Sequence, residues 1–243
     1  MITRYLFIAA FVLVMQDNHA PVVKIQSPAA YTIVSAGTPI PYEITVTDKE
    51  DGDSRYDEIN PKEIVLMIRA APGSPNVARS SQSAVHASLS DPLKDPGLAL
   101  MARSNCFNCH QFNGKLIGPS LADIARHYGR WAEVSTAAIT DTLSKRIKDG
   151  SAGIWGKEKM PSHPEVTMDD LHAMIRWIEK YAAAPGITYQ NGISGVLQFP
   201  ASGSAAAIPG TYTLTATYTD HGTKDTKTGP YLTGFDQLTL NVK

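Results

Sequence analysis

Cysteine is almost missing from this chain: 243 residues contain two, Cys106 and Cys109. A structural zinc site asks for about four ligands, usually two Cys pairs or a Cys pair with a His pair, and no second pair exists. Charge of one sign is also missing. Lys and Arg total 22 against 23 Asp and Glu, with no basic run, which argues against nucleic acid as a partner. No hydrolase triad, phosphate-cradling glycine loop or nucleotide fingerprint appears, so nothing points to an independent enzyme. No apolar run reaches the roughly 20 residues that a membrane span needs. The run Tyr5–Met15 after Arg4 has the charge and length of a signal-peptide core. It predicts a leader over residues 1–20, although Asn18-His19-Ala20 before Pro21 is a poor cleavage site. No cysteine follows the run, which excludes a lipoprotein anchor.

What the chain does have is Cys106-Phe107-Asn108-Cys109-His110. Two thiols three positions apart with histidine directly after the second form the c-type haem attachment signal. On one helical turn both sulfurs can reach the haem vinyl groups, and His110 offers an imidazole nitrogen to the iron. A disulfide or a thioredoxin-like pair is the alternative, but that redox motif belongs in a βαβ setting that the flanking residues do not supply. One covalently attached haem c, with its iron, is the expected cofactor. Thioether formation takes place outside the cytoplasm in bacteria, so the motif and the leader agree on a periplasmic or secreted protein.

Around the motif the pattern is helical, and away from it the pattern is β. Ile40, Tyr42, Ile44 and Val46 alternate with polar residues, as do Tyr212, Leu214, Ala216 and Tyr218, and then Leu238, Leu240 and Val242. Ile64–Ile68 is fully apolar and suits a central strand. The acidic loop Asp48–Asp53 departs from the EF-hand spacing and reads as a solvated turn, with calcium as the alternative. Ala71–Pro96, rich in Ser, Ala, Pro and Asp, reads as a linker. Helices follow near Leu98–Ala102, over Ser120–Tyr128, and over Thr136–Lys148 with Gly150 as a stop. A last helix is capped by Thr167 with Asp170 returning a carboxylate, and Leu171, Met174, Ile175 and Ile178 form its apolar face.

The chain is long enough for about two domains. Each β segment offers only three or four strands, too few for a stable sandwich alone. Together they supply about seven, the count of an immunoglobulin-like sandwich. The expected fold class is therefore α+β multidomain, with an all-α domain at 96–186 inserted in an all-β sandwich made of 21–95 plus 187–243. Two separate small β modules are the alternative.

From about Gly97 to Tyr181 the chain resembles a small bacterial class I cytochrome c. The resemblance rests on the haem motif, Gly118-Pro119, Gly153-Ile154-Trp155-Gly156, Met160-Pro161 and a closing helix with Trp177. It implies a six-coordinate iron with Met160 opposite His110, which raises the haem potential relative to two imidazoles and closes the iron to outside ligands. His163 is the rival sixth ligand. The resemblance further implies that the Pro119 carbonyl accepts from the outer nitrogen of His110, and that the Trp155 indole reaches a haem propionate or simply packs in the core. Met101 and Met174 read as core, and His127 and His172 as surface or satisfied side chains. The β part resembles polycystic-kidney-disease-type (PKD-like) modules of secreted bacterial proteins, on Val22-Val23-Lys24-Ile25, the Asp48–Asp53 loop and Tyr218-Thr219-Asp220-His221-Gly222. Its interruption by a cytochrome resembles the C-terminal region of certain secreted Bacteroidetes dehydrogenase-type proteins.

These readings imply an electron-transfer protein rather than an enzyme. It would exchange single electrons with redox partners, a periplasmic dehydrogenase and/or a terminal acceptor, with the sandwich as docking module. Lys115, Lys157 and Lys159 could steer an acidic partner. Two rivals stand beside it: a haem-based ligand sensor with an open sixth position, and a carbohydrate- or surface-binding module that uses Tyr231 or Phe235 and carries the haem as a passenger.

Overall fold

The computed structural model describes residues 17–70, 91–129, 136–199, 210–223 and 231–243. The apolar leader run and most of the Ala71–Pro96 linker lie outside the described residues. Strands β1 (Val22–Ser27), β3 (Pro39–Asp48), β4 (Gly52–Asp53) and β7 (Ser194–Gln198) form one sheet, in which β3 pairs with the other three. The second sheet runs β2 (Ile33–Val34), β9 (Thr233–Val242), β8 (Gly210–Thr219), β5 (Val65–Ala70), β6 (Ile187–Asn191). Every pairing is antiparallel except β2 with β9.

Alternation along the strands decides what is buried. On β3 the side chains of Ile40, Tyr42, Ile44 and Val46 turn inward, and from the other sheet Leu214, Ala216, Tyr218, Leu240 and Val242 meet them in one core. Polar neighbours on these strands face the other way, as period two requires.

The described helices α1 (Pro96–Arg103), α2 (Leu121–Gly129), α3 (Thr136–Asp149) and α4 (Met168–Tyr181) all fall between β5 and β6 in the chain. Yet β5 and β6 are direct neighbours: Arg69 stands opposite Ile187, and the Ala70 amide donates to the Gly186 carbonyl at 3.1 Å. The helix starts follow their side chains. Asp95 accepts from the Gly97 amide, with Pro96 in the first turn. Thr167 accepts from the Asp170 amide at 3.2 Å and gives its own hydroxyl proton to the Asp170 carboxylate at 2.8 Å. The carboxylate thus returns to the hydroxyl, where a full capping box would send it to the Thr167 amide. Ser120 and Asp123 repeat the device at α2, a Ser-x-x-Asp signal that sequence reading passed over.

Strand β5 is buried on both faces. Ile64, Leu66 and Ile68 enter the core between the sheets, whereas Val65 and Met67 face the helices. There they join Ile187 and Tyr189 of β6 against Phe107, Phe112, Trp177 and Tyr181. Tyr189 stacks on Phe112 with ring centroids 4.9 Å apart, and Trp177 meets Tyr189 edge-on at 5.3 Å. The Trp177 indole donates to the Pro92 carbonyl at 2.9 Å, so this buried ring is satisfied. The fully apolar run that suited a central strand therefore has a second cause: a layer of helices covers the outer face of the sheet.

Candidate haem-binding site

The site begins with a short 3-10 turn, Cys106–Asn108, entered through Asn105 in the left-handed region at φ 59°. The Cys109 and His110 amides both donate back to the Cys106 carbonyl, at 3.2 and 3.0 Å, so the five motif residues are wound tightly. Buried Phe107 points from the turn into the aromatic layer and anchors it. The Cys109 carbonyl then accepts from the amides of Ile117 and Gly118, which brings Gly118-Pro119 back beside the turn.

That return fixes His110. Its Nδ1 lies 2.7 Å from the Pro119 carbonyl, an acceptor, so Nδ1 carries the proton and Nε2 keeps its lone pair. The ring lies against Gly118 so closely that a Cβ there would sit 2.4 Å from His110 Cε1. Burial in apolar surroundings lowers the pKa of His110; the Pro119 contact raises it, and the nearby His163 lowers it again. A neutral, oriented imidazole results, the form that ligates a metal. Burial likewise pushes the Cys106 thiol up to about 12, so it stays protonated at neutral pH.

The opposite wall comes from the segment after α3. Gly150, at φ +78°, ends that helix, and a Cβ on it would come within 2.8 Å of the Met160 carbonyl. The close approach lets Ser151 and Met160 exchange two backbone hydrogen bonds, 3.1 and 2.9 Å. Cys106, Cys109, His110, Pro119, Trp155 and Met160 all line one cleft, whose empty space, open mouth included, is about 1390 Å³. The six residues singled out in the sequence are thus brought together. His163 lines the same cleft.

The remaining walls are largely apolar, with buried Met101 and Met174 among them. Trp155 is half-buried and meets His127 edge-on at 5.0 Å. Tyr128 and Arg146 were missed by sequence reading. Both line the cleft, and the Arg146 guanidinium donates to the Tyr128 hydroxyl. The only local sign was a basic residue on the helix face that carries Leu143 and Ile147. A guanidinium in such a wall suits a carboxylate of the cofactor.

The cytochrome c family model matches residues 95–182. Cytochrome c-552 of Nitrosomonas europaea is 38% identical over 79 residues, which cover 32% of this chain and 72% of that protein. The chain belongs to the cytochrome c family. Cytochrome c-551 of Stutzerimonas stutzeri is 37% identical over 86 residues, 35% of this chain and 77% of that protein. A crystal structure of the wild-type Nitrosomonas cytochrome c552 covers 33% of this chain and 93% of its own, at 38% identity and a TM-score of 0.30. Membership brings covalently bound haem c with its iron, and the cytochrome segment fits that group. Its two thiols, imidazole and thioether line one apolar cleft, and Gly118 leaves the His110 ring the room it takes.

Outside the cytochrome segment, the carboxylates of the acidic loop are engaged by the protein itself. Asp48 accepts from the amides of Glu50 and Asp51, Asp51 from the Tyr218 hydroxyl and the His221 amide, and Asp53 from Arg55. Tyr231 is covered by the Arg103 guanidinium 3.3 Å from its ring centroid, whereas Phe235 on β9 is 70% exposed. His172 departs from the expected surface or satisfied state: its Nε2 is enclosed without a partner among the described residues. Nor is any described helix long and apolar enough to cross a membrane.

Proposed function

We propose that this chain is an extracytoplasmic mono-haem cytochrome that passes single electrons between redox partner proteins, with its cytochrome segment inserted in an immunoglobulin-like, PKD-like sandwich. The observation that carries the reading is the convergence of Cys106, Cys109, His110 and Met160 on one apolar cleft. When bound, haem supplies the one-electron couple of its iron. The protein's part is to hold and to exclude. Cys106 and Cys109 would tether the group, His110, steadied by Pro119, would offer Nε2 and Met160 its sulfur, and the apolar walls would keep water away, which tunes the potential.

Electrons would enter from a periplasmic dehydrogenase and leave to a terminal acceptor by transient contact. Ile117 and Ile154 line the cleft and are 50% and 46% exposed. With Lys159 beside them in the cleft wall and the Lys115 ammonium near Gly156, they offer an apolar surface with cationic neighbours, suited to brief docking of an acidic partner. No described residue of the two sheets lines the cleft, so the sandwich, joined to the helices through β5 and β6, would act as a docking module without covering it.

Replacing Met160 tests the reading. Met160→Ala is expected to lower the midpoint potential and to let carbon monoxide bind the reduced protein, while the wild type binds it slowly or not at all. An unchanged potential with no carbon monoxide binding removes Met160 from the iron.

A further inference from the structure

Among the described residues two histidines line the cleft, and the proposed function uses one. His163 is less buried than His110 but is also held at its backbone and at Nδ1. Its amide donates to the Ile147 carbonyl at 3.0 Å, and its own carbonyl accepts from the Val166 amide, so its backbone is fixed against α3 and the start of α4. Its Nδ1 lies 3.1 Å from Glu165 Oε1. A carboxylate only accepts, so Nδ1 is the donor, and in the neutral ring Nε2 keeps the lone pair. A carboxylate behind an imidazole is also the usual support of a metal-ligating histidine, because it orients the ring and makes it a stronger donor. The side chain is 25% exposed and lines the same cleft as Met160 and His110.

Met160 is held differently. Its backbone is clamped to Ser151, whereas its side chain is an unbranched thioether whose three rotatable bonds let the sulfur change position without opening the clamp. A soft sulfur suits the electron-rich ferrous ion, and an imidazole competes better for the ferric one.

We propose that His163 is a second ligand for the position assigned to Met160, with the thioether on the iron in the ferrous protein and the His163 imidazole in the ferric protein. The inference rests on Met160 being the ferrous ligand. On oxidation one electron leaves the iron for a one-electron acceptor protein, the iron–sulfur bond breaks and an iron–nitrogen bond to Nε2 forms. With the ring neutral in both states no proton moves, because Nδ1 keeps its own proton, directed at the Glu165 carboxylate. Reduction reverses each step.

The haem-loaded full-length protein provides the test, beside its His163→Ala and Glu165→Gln variants. Near-infrared absorption of the ferric protein reports sulfur on iron through a charge-transfer band. Proton NMR of the ferrous protein reports a Met160 methyl shifted far upfield by the ring current. The ferrous wild type is expected to show the methyl signal and the ferric wild type to lack the sulfur band. Fast-scan voltammetry should separate oxidation and reduction waves that merge at slow scan. His163→Ala should restore the band and leave one pair of waves, and Glu165→Gln, which keeps the ring, should restore part of it. A full sulfur band in the ferric wild type, unchanged in His163→Ala, overturns the exchange and leaves Met160 standing. A ferrous wild type without the methyl signal removes Met160 itself, and the exchange with it.

Discussion

Leu66 and Met67 are neighbours on one strand, yet they serve two different cores. Leu66 enters the core between the sheets, filled mainly by alternating strand residues. Met67 faces the helices, whose core has one wall of sheet and another opened into the haem cleft. The comparison shows how a small cytochrome segment can have both a wide cavity and a firm frame. The cleft removes apolar contacts from one side of the helices, and Val65, Met67, Ile187 and Tyr189 supply contacts on the other. The two cores therefore meet across β5 and β6, on either side of residue 186.

Separating the effects of the two faces is the strongest way to break this comparison. Tyr189→Ala should cost about 3–5 kcal/mol and Leu66→Ala about 2–5 kcal/mol, as buried truncations do. The costs overlap, but their signatures should differ. Tyr189→Ala removes the ring stacked on Phe112, two residues from His110, and should shift the haem midpoint potential. Leu66→Ala should lower the melting temperature with the potential unchanged. Equal shifts in potential from both would mean that the sheet transmits strain as one body.

A smaller effect belongs to the helices alone. Thr167→Ala removes the cap of α4 and should cost about 1 kcal/mol, read as a lower melting temperature with the sandwich strands unperturbed in amide exchange. The smallest belongs to the strands. The Glu63 carboxylate, 2.7 Å from His221 Nε2, raises the His221 pKa; burial, and Arg103 reaching over from α1, work against it. A raised folded value means stability that is complete below the unfolded pKa of about 6.5 and is lost as pH climbs through the folded one. Thermal melts of wild type and His221→Gln should diverge below about pH 6.5 and converge at alkaline pH. Equal separation at every pH would deny the pair any role.

Much of this was legible in the sequence because the signals are local. The haem motif, the stop at Gly150, the cap at Thr167 and the strict alternation of Tyr212–Tyr218 each lie within a few residues. The partnership of Phe112 with Tyr189 has no local signal, since either ring would suit an ordinary core. The same holds for Asp51, read as part of a solvated turn, whose carboxylate accepts hydrogen bonds from the Tyr218 hydroxyl and the His221 amide far along the chain. Two-sided burial of β5 was visible as an apolar run, but what covered its outer face was not.

The pairing of Arg69 with Ile187 bears on how the molecule matures. As long as the polypeptide between them is slack, joining those two strands means closing a very large ring, and the entropy lost grows with ring size. Once α1–α4 have condensed, the ends of the ring are already near each other and the strands can zip with little further loss. This loop-closure cost predicts that the helices fold before the sheet seals, and that a chain denied its cofactor shows weak amide-exchange protection in β6.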